Sequence, residues 1–190
     1  MDRREAISTV SLLLGGAVIG AEGFLSGCTT TPQNSYAGLL TSADVNLLDE
    51  IAETILPETE TSPGAKEAEV GRFMNVIVTE CYDQDQQQIF QDGLARIREV
   101  VQSEFGKSFE RLQVDQKHEL LLSLEDEVKN YNQNKTPEDP DTHYYRMIKQ
   151  LTLLGFLTSE PGVTHAMRHV AVPGRFDGCV PHKEGEKVWA

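Results

Sequence analysis

Few residues in this 190-residue chain have the types and spacing that chemistry needs. His165 and His169 stand four apart, so a helix through them would turn both imidazoles to one side, where they can share a metal ion. Cys179 and His182 follow as a C-x-x-H pair, and the four together can be drawn as a zinc set. A solvated histidine pair on a helix surface is the simpler reading, and no metal ligand is assigned. The neighbouring acids Asp49/Glu50 and Glu125/Asp126/Glu127 offer paired carboxylates of the kind acid–base catalysis uses. They stand on the polar side of helical patterns and read as a solvated face. No glycine-rich loop follows a strand, so the dinucleotide fingerprint is missing. There is no C-x-x-C-H haem attachment, no cysteine cluster for iron–sulfur and no nucleophile elbow. The residues therefore name no catalytic group and no cofactor-binding group.

Three cysteines need an account. Cys28 closes an N-terminal run, "MDRREAISTVSLLLGGAVIGAEGFLSGC", that reads as an address label. Arg3 and Arg4 form a positive start, and the apolar, Gly- and Ser-rich run after them has signal-peptide length and is short for a membrane span. The arginine pair resembles a twin-arginine export signal. Leu25-Ser26-Gly27-Cys28 resembles a lipobox, in which cleavage precedes Cys28 and its thiol takes a diacylglycerol. Expected boundaries are a signal peptide at 1–27, a lipidated polar tether at 28–40 and a single domain at 41–190. That sets the expected location on the periplasmic side of a bacterial envelope, held by lipid. An oxidising compartment makes a Cys81–Cys179 disulfide possible, and two buried or partner-facing thiols remain the alternative.

The chain carries 17 basic and 30 acidic residues, a formal net charge of −13. Nucleic acid is excluded as a partner, because phosphates would be repelled. Such acidity gives solubility or suits a basic partner surface.

The rest of the pattern is helical. "SADVNLLDEIAETILPE" places Leu47, Leu48, Ile51 and Ile55 on one stripe, with Thr41 or Ser42 as cap and Pro57 as stop. "TETSPGAK" is a turn-rich loop. Val70, Phe73, Met74, Ile77, Val78 and Cys81 form a second stripe, which puts Cys81 on an apolar face. Ile89, Phe90, Leu94, Ile97, Val101 and Phe105 form a third, ended by Gly106. A fourth helix has Asp115 as expected cap, with Leu121, Leu122, Leu124 and Val128 inward. "THYYRMIKQLTLLGFLTS" is a fifth, apolar enough to be central, and "EPGVTHAMRHV" a short sixth. No period-2 strand and no internal repeat appears. The expected class is an all-α bundle of five to six helices with an irregular C-terminal tail. That tail is rich in Gly and Pro and ends on the chain's one tryptophan, Trp189. With Phe176 it is expected either to lie across its own bundle or to anchor a partner.

Taken together, "LLDEIAETILPETETSPGAKEAEVGRFMNVIVTECY", "LTLLGFLTSEPGVTHAMRHVAVPGRFDGC" and the closing "KVWA" resemble the gluconate 2-dehydrogenase subunit 3 family. The resemblance runs from about Thr41 to Ala190, with 85–141 adding little. "ILPETETSPGA", "LTSEPG" and "VPGRFDGC" are specific as a set and weak singly. The resemblance implies a small, non-catalytic, cofactor-free subunit. Its partner would be a large FAD-dependent sugar or sugar-acid dehydrogenase of the glucose–methanol–choline type, and a c-type cytochrome often takes the electrons. The small subunit would supply the export signal and support folding of the flavoprotein. A lipobox is a departure from many such subunits and implies tethering of the complex through this chain. The alternative is a stand-alone exported lipoprotein that binds a sugar or a metal ion.

Overall fold

Apolar stripes at helical spacing produce five α-helices, which a computed structural model describes for residues 38–190, apart from 173, 176, 177, 182 and 190. They are α1 (Ser42–Ile55), α2 (Val70–Cys81), α3 (Gln84–Phe105), α4 (Val114–Asn134) and α5 (Tyr144–Thr158). A 3-10 turn at Phe109–Arg111 precedes α4, and a π-type turn at Gly162–Ala166 follows α5. The fold is an all-α bundle, and no strand occurs among the described residues. None of the helices among the described residues is long and apolar enough to cross a membrane. Arg3, Arg4, Cys28, Phe176 and His182 lie outside the described residues.

Local chemistry explains where the helices begin. Thr41 caps α1 by a reciprocal box: its hydroxyl accepts the Asp44 N–H at 3.2 Å, and Asp44 accepts the Thr41 N–H at 2.7 Å. Asp83 and Gln86 do the same for α3. Gly106 ends α3 in the left-handed region, φ 63°, where glycine carries no Cβ penalty. Two expectations are corrected. The N-cap of α4 is Gln113, whose N–H donates to Gln116 Oε1 at 3.0 Å, and Asp115 sits in the first turn. Leu122 is exposed while Leu120, Leu121 and Leu124 are buried. At about 100° per residue, 120, 121, 124 and 128 fall within one arc of about 100° and 122 points away.

The buried faces meet in one core: Leu47, Leu48 and Ile51 of α1, Val70, Met74 and Val78 of α2, Phe90, Leu94 and Ile97 of α3, Leu120 and Leu124 of α4. Each such side chain contributes about 1.5–3 kcal/mol by leaving water. The fifth helix touches all four others, as its composition implies, through Tyr145, Ile148, Leu151 and Phe156. Its other side leaves Leu153, Leu154 and Leu157 exposed. His143 caps α5, and its Nδ1 accepts the Tyr145 N–H at 3.3 Å. Its Nε2 faces Glu127 Oε1, 3.4 Å away.

Candidate partner interface

The loop between α1 and α2 is held by acids on α1. Glu53 reaches forward and accepts two backbone N–H groups from opposite ends of the loop: Glu58 at 2.9 Å and Lys66 at 2.8 Å. Between them the chain reverses, with the Thr59 N–H on the Ser62 carbonyl and the Ala65 N–H on the Leu56 carbonyl, both 2.9 Å. Gly64 is required for this. A Cβ there would lie 2.2 Å from Glu53 Oε1. Thus "ILPETETSPGA" is the sequence of a loop wrapped around one carboxylate.

Two more α1 acids fix the loop's exit. Glu50 bonds Lys66 and also Lys117 of α4, the latter at 2.7 Å. Burial pulls its pKa up, but the hydrogen bonds from Lys117 and Lys66 outweigh that and leave it below the ordinary glutamate value. Asp49 accepts the Gly71 N–H at 2.7 Å and so satisfies the first turn of α2. Burial raises the Asp49 pKa, and the Gly71 bond only partly offsets it. The Asp49/Glu50 pair is therefore a structural device.

The loop's outer side lines an open groove of about 250 Å³ with Glu58, Thr59, Glu60, Thr61, Ser62, Pro63, Glu67 and His165. His165 belongs to the π-type turn after α5, so segments a hundred residues apart in sequence converge here. Beyond His165 the C-terminal tail returns. Lys187 Nζ donates to the His165 carbonyl. The Arg168 N–H donates to the Val188 carbonyl at 2.8 Å. The Arg168 guanidinium pairs with Glu186 at 2.9 Å and lies over the Trp189 ring, 4.1 Å from its centroid. One arginine thus clasps Glu186, Val188 and Trp189 of the tail. Trp189 stays 46% exposed, so the clasp covers only part of the indole. The tail thus touches its own chain at Arg168, and part of the Trp189 ring still meets solvent.

Other sequence candidates separate in space. The turn ends at Ala166, so His165 and His169 do not share a helix, and both are exposed. Among the described residues no three His, Cys, Asp or Glu side chains form a group that can hold a metal ion. Glu125 pairs with Lys149, Asp126 with Lys129, and Glu127 faces His143 and the Tyr144 hydroxyl. Cys81 and Cys179 are free, exposed thiols. The expected apolar position of Cys81 fails because it is the last residue of α2, where the stripe runs out into solvent. The roles of Glu53, Gly64 and Arg168 were not read from the sequence. Only the turn chemistry of "SPGAK" hinted at the first two.

The fold is an all-α bundle, and on this face an acidic loop lies beside a tail clasped by Arg168. The chain belongs to the gluconate 2-dehydrogenase subunit 3 family, whose model matches residues 42–174. By that description its relatives are subunits of a dehydrogenase complex. No curated protein and no solved structure matches the chain.

Proposed function

We propose that this chain is a non-catalytic small subunit that escorts a large FAD-dependent sugar or sugar-acid dehydrogenase out of the cytoplasm and tethers it to the envelope. Membership of a family described as a dehydrogenase subunit carries the proposal. The export label at Arg3 and Arg4 and the lipobox at Cys28 supply the route and the anchor. The twin-arginine route carries folded cargo, so a flavoprotein without its own signal crosses only by riding on this chain. Binding then precedes export and persists through it. A contact on the order of 2,000 Å² suits such a lasting complex. FAD belongs to the partner, and a c-type cytochrome is the proposed electron acceptor.

The test is to delete the gene and fractionate the cells. Flavin-loaded dehydrogenase is expected to accumulate in the cytoplasm. Unchanged flavoprotein in the envelope would overturn the escort role.

A further inference from the structure

We infer that the loop–tail face, from Glu58 across His165 to Trp189, is where the larger subunit docks, and that Arg168 is the residue that positions it. The inference rests on the accessory-subunit reading above and adds to it a surface and a positioning residue.

The face sets exposed apolar side chains beside charged ones, the two ingredients of an interface. Val188 and Trp189 are exposed on the tail. Glu58, Glu60 and Glu67 stand on one side, with Lys187 and Glu186 bordering the tail. Both halves are fixed before any partner arrives. Glu53 freezes the loop through two backbone bonds, and Arg168 freezes the tail through a backbone bond, an ion pair and a cation–π contact. Fixing the side chains in advance removes ordering cost from association. A half-exposed indole held flat by an arginine is the kind of anchor that dominates interfaces.

Charge decides the occupant. A second copy docked face to face would set the carboxylates of Glu58, Glu60 and Glu67 against themselves, in a chain whose net charge is −13. An anionic lipid surface would be repelled by the same groups. The face therefore fits a different chain, one with an apolar pocket for Trp189 and basic side chains opposite the loop. In a family of dehydrogenase subunits, that chain is the larger subunit of the same complex.

Trp189 is the chain's one tryptophan, so it reports the clasp directly. The experiment uses the full chain, alone and co-expressed with the larger dehydrogenase subunit. In Arg168→Ala alone, Trp189 emission moves to the red and acrylamide quenching increases, while the melting temperature of the bundle stays within a degree or two (about the shift expected of a surface change). Capture of the larger subunit falls about tenfold, and Arg168→Lys restores part of it by keeping the charge. A second variant, Glu58→Lys/Glu60→Lys/Glu67→Lys, leaves Trp189 emission unchanged but also weakens capture. Wild-type capture by both folded variants would overturn the docking face while leaving the accessory role intact. Failure of the wild-type chain to capture any larger subunit would overturn both. A dimer of the chain alone that Arg168→Ala dissolves would assign the face to self-association and refute the inference.

Discussion

Glu53→Ala should loosen the loop that the family motif encodes, and its cost can be worked from two bonds. The carboxylate accepts the Glu58 and Lys66 N–H groups at 2.9 and 2.8 Å. Hydrogen bonds to a charged group contribute about 1.5–3 kcal/mol when sheltered. Glu58 and Lys66 are exposed, so water takes over each freed N–H. The net loss is then nearer about 1 kcal/mol per bond, or about 2 kcal/mol in all. For a domain of this size that lowers the melting temperature by about 4–8 °C. Gly64→Ala should reproduce the loss, since its Cβ would displace the same carboxylate. The double variant should cost little more than either alone, because both remove one set of bonds. Thermal melts of the three variants, with hydrogen exchange at the Glu58 and Lys66 amides, check this. An unchanged melt with unchanged exchange for Glu53→Ala, or fully additive losses in the double variant, would refute the reasoning.

Other outcomes follow from the same geometry. The pKa of Glu50 is lowered on folding, so its ion pairs stabilise the protein above the ordinary glutamate value, and that contribution is lost as pH falls through the lower folded value. Glu50→Gln should therefore be less stable at neutral pH and show a shallower acid-side decline, read from melts across pH 3–7, a range chosen about the usual carboxylate values. Cys81 and Cys179 should both react with a thiol reagent in folded, unreduced protein, and protection of both would instead reveal a bond. Replacing Arg3 and Arg4 together with Lys should block export, because the receptor reads the guanidinium pair and not charge alone; a normally exported double variant would sink that assignment. Removing residues 170–190 should leave the bundle folded and exported but strand the flavoprotein in the cytoplasm.

The helices were legible because each needs one apolar stripe, and Leu47, Met74, Phe90 and Leu124 all stand where that stripe puts them. Gly106 was legible because the left-handed turn that ends a helix favours glycine. Leu122 misled because a run of three leucines outweighed the helical angle that separates them. The interface was much less legible. Glu53 meets Lys66 across thirteen positions, and Arg168 meets Glu186 across eighteen. Nothing in local spacing encodes such pairings, since they exist only once α1, α5 and the tail are in place. The special composition of the tail and its terminal tryptophan did mark it as more than a frayed end. The arginine that holds it carries no mark in the sequence at all.

The measurement that bears most directly on the central claim is purification of this chain from native membranes, followed by mass spectrometry of whatever accompanies it. The account predicts a large flavin-containing dehydrogenase subunit in stable association, released from the membrane when Cys28→Ala removes the lipid. Recovery of the chain alone, with the dehydrogenase exported and anchored independently of it, would contradict the account.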